Sequence, residues 1–338
     1  MLLRPLLPLV AALLCLPALA TAQDVHFTQF HNAPQLLNPA LTAAYAPDHR
    51  LAANYRTQWS SVPVPYETLS ADYSRKWALP FEDGQHLGLG GHFLYDQAGD
   101  GQLTWLQIAL RAALHWPLED GHQISAGLQA RVGQRTLQPG AFQFGDQFVD
   151  NFFDPQNATA ENLNGLTSGF ASLGAGVNWY YQDRYSRTQL WAGIGSDHLN
   201  RPVITFLEND EVSVPIRLNM HAMGLIEAND LWDISVRLLA QNQGSYREFV
   251  GLAGARYHFT DWVDFPLSVQ LSGGYRWSDA AVAMLEVYYE QWQLGLSYDI
   301  NTSPFQNATN RRGGLELSLA YFITDVKPPK GFKACPIF

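Results

Sequence analysis

Apolar and polar residues alternate with a period of two along most of this chain. Residues 314–322 read GLELSLAYF. Leu315, Leu317, Leu319 and Tyr321 fall on one face of an extended strand, and Glu316, Ser318 and Ala320 on the other. Upstream, Ala126, Leu128, Ala130 and Val132 oppose Ser125, Gly127, Gln129 and Arg131. Leu173, Ala175, Val177 and Trp179 oppose Ser172, Gly174, Gly176 and Asn178. Leu267, Val269, Leu271 and Tyr275 oppose Ser268, Gln270, Ser272 and Arg276, and Trp292, Leu294, Leu296 and Tyr298 oppose Gln293, Gly295, Ser297 and Asp299. The pattern predicts about fourteen strands, over 49–60, 66–76, 86–97, 103–116, 122–134, 168–182, 188–199, 214–226, 232–241, 247–259, 266–278, 281–290, 291–301 and 312–324. Each is near or above the roughly 9–11 residues that a tilted strand needs to cross a bilayer.

Soluble sandwiches and propellers alternate too, so the choice of solvent rests on other signs. An Arg on a lipid face at the bilayer midplane costs roughly 2–4 kcal/mol. That cost places Arg111, Arg131 and Arg276 in a lumen. Trp59, Trp77, Trp116, Trp179, Trp277 and Trp292 fall near strand ends, as interfacial belts require. Charged residues make up 15% of the chain, against about 25% in ordinary soluble domains. Residues 1–22 read as a signal peptide, with Arg4 before an apolar core and an A-x-A site that puts cleavage between Ala22 and Gln23. No later run is apolar and long enough to span as a helix. These features predict an all-β chain, a transmembrane antiparallel β-barrel of about 14 strands with a short N-terminal plug-like segment, in an outer membrane. The expected division is signal peptide 1–22, plug-like segment 23–48, barrel 49–325 and tail 326–338. In the tenth span Arg256 shares parity with Val250 and Leu252, so a bulge or a shifted register is expected there.

Two stretches resist the pattern. Residues 23–45 are interrupted by Pro34 and Pro39 and are expected to fold inside the barrel mouth. Residues 137–164 carry Phe142, Phe144, Phe148, Phe152 and Phe153, too aromatic for an idle linker. Near the end, Arg312, Gly314, Leu317 and Leu319 fit the pattern of a last barrel strand read by outer-membrane assembly machinery. That strand is expected to seal against the first.

Charge and motifs narrow the chemistry. Loss of Arg4 with the leader takes the formal net charge from −10 to −11, which argues against nucleic acid as a partner. Only Cys335 remains after cleavage, so no intramolecular disulfide is expected. The mature chain has no GxSxG, HExxH or CxxC, and no enzyme, metal or cofactor is expected. His26 and His31, five apart, read as surface or capping residues. His198 beside Asp197 is the best-placed pair for a Ser-His-acid site assembled across strands; its blander role is hydrogen bonding in the lumen or at its rim. The sequons at Asn157, Asn301 and Asn307 read as turns. Arg56, Arg111, Arg131 and Arg276 with Asp72, Glu286 and Asp299 form an expected charged lumen network that ties wall to plug or docks a partner.

An ordered set of short motifs resembles the PorP/SprF family. It comprises Asp24-Val25-His26-Phe27-Thr28-Gln29-Phe30, Asn38-Pro39-Ala40, Tyr55-Arg56-Thr57-Gln58-Trp59, Asp96-Gln97-Ala98-Gly99, Phe144-Gly145-Asp146-Gln147-Phe148, His198-Leu199-Asn200-Arg201-Pro202, Tyr275-Arg276, the run Ser297 to Ser303, and Cys335-Pro336-Ile337-Phe338. Val25 stands where the family usually has Pro, and Ser196-Asp197 precedes the His-Leu pair. The resemblance implies an outer-membrane barrel of the type IX secretion system of Bacteroidota. It would act in export, surface display or anchoring of cargo with C-terminal sorting domains, gliding adhesins included. The implied partners are such cargo, other type IX components and outer-membrane lipid. The residues expected to bind a partner or form the lumen network are Asn38, Arg56, Trp59, Asp146, Gln147, His198, Arg276 and Asp299. The alternative is a channel for small hydrophobic molecules of the fatty-acid transporter type, which an expected lumen of Gly, Ser, Gln and Arg disfavours.

Overall fold

In the computed structural model, one antiparallel sheet closes on itself. The structure describes residues 24–58, 66–79, 84–99, 101–138, 142–149, 152–154, 156–161, 166–206, 212–259, 266–304 and 312–325. The expected signal peptide, Trp59 and the tail beyond 325 lie outside these. The strands are β1 (His49–Gln58), β2 (Tyr66–Ala78), β3 (His86–Ala98), β4 (Leu103–Pro117), β5 (His122–Thr136), β6 (Phe148–Val149), β7 (Phe152–Phe153), β8 (Thr167–Gln182), β9 (Gln189–Asp197), β10 (Arg217–Glu227), β11 (Trp232–Gln243), β12 (Tyr246–Phe259), β13 (Leu267–Arg276), β14 (Ala280–Tyr289), β15 (Trp292–Asn301) and β16 (Arg312–Ile323). All but β6 and β7 form the wall, so the fourteen strands expected from alternation are present. Residues 137–164 hold a small structure of their own, the β6–β7 hairpin.

Closure follows from the segment with which the sequence pattern began. β16 pairs β1 from His49↔Ile323 to Gln58↔Gly314, which leaves no free edge. Outward residues are lipid-compatible: Leu110, Leu128 and Leu271 are among the most exposed on the wall. Inward residues are buried and polar, including Arg56, Asn54, Gln107, Gln129, Ser172 and Glu286. No helix among the described residues is long and apolar enough to cross a membrane.

β12 corrects the expected bulge. Its pairings with β11 and β13 run without interruption, and Val250, Leu252 and Arg256 all face inward. Val250 and Leu252 pack with Leu239, Val282 and Met284 around Phe30, Leu37 and Leu41 of the N-terminal segment. The irregularity lies elsewhere, between Tyr298 and Ile300 where β15 meets β16.

A barrel this wide cannot fill its own interior with wall side chains. Residues 24–45 thread the lumen and fill part of it. They form three 3-10 turns: Phe30–Asn32, Pro34–Leu36 and Pro39–Leu41. Pro34 and Pro39 open two of them, where a missing N–H is harmless. Asn38 caps the third by accepting from the Ala40 N–H at 2.9 Å. The wall makes room with glycines: a Cβ on Gly176 would collide with Asn38, and one on Gly195 with the Leu37 carbonyl.

The two ends of the barrel differ. The longest connections, 137–166 and 198–216, leave one end. The connections at the other end, such as 118–121, 228–231 and 290–291, are short.

Candidate functional site

The charged residues expected to form one lumen network separate into clusters, each gripping a different part of the lumen segment. The largest lies toward the long-loop end. Asp299 takes Arg56 at 2.9 Å and Arg276 at 3.1 Å. The Thr28 hydroxyl donates to the same carboxylate at 2.9 Å and accepts from Arg276. Glu316 accepts from the backbone N–H groups of Thr28 and Gln29, both at 2.8 Å. Arg56 adds a bond to the His26 carbonyl at 3.0 Å. Arg56, Arg276 and Glu316 are each no more than 2% exposed. Such a cluster holds only because charges, hydroxyl and amides satisfy one another. Burial, with Arg276 and Arg56 close by, holds the His26 imidazole well below its ordinary range, so His26 meets this cluster neutral.

A second cluster holds the start of the segment. His198 sits just past β9 in a left-handed conformation, φ 58°. Its Nδ1 bonds the Ser172 hydroxyl and its Nε2 the Asp24 carboxylate, each at 2.8 Å. Arg217 stands 3.5 Å from Asp24. Burial alone would push the Asp24 carboxyl up; His198, Arg217 and Arg131 outweigh it and hold it well below the usual carboxylate range. His198 thus takes the hydrogen-bonding role in the lumen that the sequence offered, and Asp197, the acid beside it in the candidate Ser-His-acid site, is not its partner. Asp197 points to Gln129 at 2.7 Å and Arg131 at 3.3 Å. Ser172, His198 and Asp24 have the connectivity of a catalytic triad, but Ser172 is 3% exposed and His198 0%. The geometry fits a tether for the segment.

Toward the short-turn end, Asp72 takes Arg50 at 2.6 Å and Arg111 at 2.8 Å, and Arg50 also donates to the Asn32 carbonyl at 2.7 Å. Glu286 takes Arg237 at 2.7 Å and His31 at 2.8 Å. His31 is thus a lumen residue, where the sequence reading had a surface or capping one. Burial and the neighbouring Arg237 outweigh Glu286 and push His31 down to about 4.

The expected site residues divide accordingly. Arg56, Arg276 and Asp299 meet in one cluster, His198 anchors another, and Asn38 donates to the Val177 carbonyl at 2.8 Å from within the segment. Asp146 and Gln147 do not join them. They order the 137–166 connection instead: Asp146 accepts from the Ala160 N–H at 2.5 Å, and Gln147 bonds Phe144 and Asn157. Beside them Phe152 is 79% exposed at the hairpin tip. Asp24, Glu316, Arg50, Arg217 and Arg237 were missed as site residues. The available signal was weak: each wall member is a charge on a polar face, and only pairing across strands tells it from the rest. Among the described residues no group of His, Cys, Asp and Glu is arranged to hold a metal ion.

A family model described as "Type IX secretion system membrane protein PorP/SprF" matches residues 19–321. No curated protein matches the chain. Among solved structures, the TodX deltaS2S3 mutant monoaromatic hydrocarbon channel is similar at TM-score 0.50 and 12% identity, over 87% of this chain and 94% of its own. The toluene transporter TbuX of Ralstonia pickettii aligns at TM-score 0.47 and 10% identity, over 87% and 94%. A FadL homologue of Pseudomonas aeruginosa aligns at 0.39 and 12%, over 84% and 92%. At such identities the likeness extends to the barrel fold alone.

Proposed function

Since the chain belongs to the PorP/SprF family of type IX secretion system membrane proteins, we propose that this outer-membrane barrel serves the system as a closed, protein-binding wall component. In this role it assists export, surface display or anchoring of cargo with C-terminal sorting domains, gliding adhesins among them. The observation that carries the reading is the lumen segment. Buried, charge-assisted hydrogen bonds tie its backbone to Arg50 and Arg56 of β1 and Glu316 of β16, and its Asp24 side chain to His198, which argues against the lumen as a conduit for a folded or extended polypeptide. Binding then falls to the loops. Bacterial barrels place long loops outside and short turns in the periplasm, which puts 137–166 and its exposed Phe148, Val149 and Phe152 on the cell surface.

Pull-down from solubilised outer membranes tests this. Recovery of a large secreted protein with a C-terminal sorting domain, or of other type IX components, is the expected result. If deletion leaves secretion and display intact but blocks uptake of a small hydrophobic molecule, the channel alternative replaces this reading.

A further inference from the structure

At the short-turn end a cavity of about 270 Å³ lies between the lumen segment and the wall. Arg50, Arg237 and Arg256 line it, and none of its described lining residues is acidic. Arg50 and Arg237 already hold carboxylates, Asp72 at 2.6 Å and Glu286 at 2.7 Å. Arg256 holds none among the described residues. Its Nε donates to Gln270 at 3.1 Å, and its guanidinium lies 3.7 Å from the centre of the Tyr288 ring. Stacking on Tyr288 and the bond to Gln270 fix the guanidinium plane while leaving the terminal N–H groups free for a ligand. The rest of the lining is mixed: Leu41, Trp191, Met223 and Phe322 give an apolar patch, and His31, Asn32, Gln189, Ser235 and Gln293 are polar.

We propose that this cavity binds the carboxylate of an apolar or aromatic acid, with the Arg256 fork taking both oxygens. A guanidinium pairs with a planar carboxylate through two parallel bonds, and the half-buried setting strengthens them. The apolar patch of Leu41, Trp191, Met223 and Phe322 rewards a ring or a short chain behind the carboxylate, which a hydrated inorganic anion lacks. The acid comes either as a free small molecule or as the last residue of a polypeptide. Both present the same chemistry to Arg256. The site is separate from the outer loops, so its failure leaves the secretion reading standing, and pull-down alone tests that.

The test is calorimetric titration of the purified, detergent-solubilised barrel at neutral pH. The probes are 3-phenylpropionate, octanoate and N-acetylphenylalanine, with 3-phenylpropanamide as the neutral counterpart. The acid should bind at least about tenfold tighter than the amide. Arg256→Gln should erase that difference, and Ser235→Asp, which adds an anion to the lining, should do the same. Heat-modifiable gel migration confirms that both variants keep the barrel. N-acetylphenylalanine binding tighter than octanoate supports a polypeptide terminus, and the reverse supports a free acid. Equal affinity for acid and amide, undiminished binding in Arg256→Gln, or no binding of any probe overturns the proposal.

Discussion

Asp299→Asn tests whether the largest charge cluster holds the lumen segment or the wall. The carboxylate is shared by two guanidinium groups, at 2.9 and 3.1 Å, and by the Thr28 hydroxyl. Asn keeps the volume and can still accept from Thr28, but it removes the charge. Removing one partner of a buried ion pair costs about 3–5 kcal/mol. The lower figure applies here, because Arg56 keeps Glu316 at 3.7 Å and Arg276 keeps Asp279 at 2.9 Å. The ladders from β15 to its neighbours use backbone groups and not this side chain, so the loss falls on docking of the segment. At 1.4 kcal/mol per tenfold, about 3 kcal/mol raises the undocked population about a hundredfold. Chymotrypsin cleavage at Phe27 and Phe30, both 2% exposed, reads that population. The expected result is cleavage about a hundredfold faster, with heat-modifiable migration unchanged. Cleavage at the wild-type rate, or loss of the barrel itself, would refute the assignment of this cluster to the segment.

Other perturbations approach the same contacts from different sides. Gly176→Leu forces a side chain into Asn38; overpacking of this kind costs about 1–3 kcal/mol, so the same protease assay should show faster cleavage, and protection equal to wild type would contradict the packing. Acid should loosen the segment through His31. Its docked value, about 4, lies below its free value of 6.5, so its contribution is complete above pH 6.5 and is lost as pH falls from there toward 4. His31→Gln should flatten the pH dependence of cleavage across that window, and an unchanged slope would sink this attribution. Phe152→Ser, at the exposed hairpin tip, should lower recovery of partners in pull-down several-fold without altering barrel migration. Full recovery would move the binding surface away from the hairpin.

How far the sequence could be read depends on which physical constraint each part obeys. The wall obeys a local one. Lipid outside and polar lumen inside impose a period of two on every strand, so Leu128 against Gln129, or Leu317 against Glu316, declares its face without reference to any other strand. Where that constraint was relaxed, reading failed. Val250 and Leu252 on β12 looked like a register error because a lumen face was assumed to be polar throughout. They are apolar because Phe30, Leu37 and Leu41 press against them from inside. The same segment explains the charged residues. Parity placed Arg56, Arg276 and Asp299 in the lumen correctly, but which acid each Arg meets depends on strand order, register and the path of residues 24–45. Asp197 lies beside His198 in sequence and both are buried, yet Asp197 is taken by Gln129 and Arg131, and the acid that reaches the imidazole is Asp24. A segment without periodicity carries no such sign of its neighbours. The lumen of this barrel is thus specified jointly, by a wall that alternates and a non-repeating strand of chain that decides where alternation breaks.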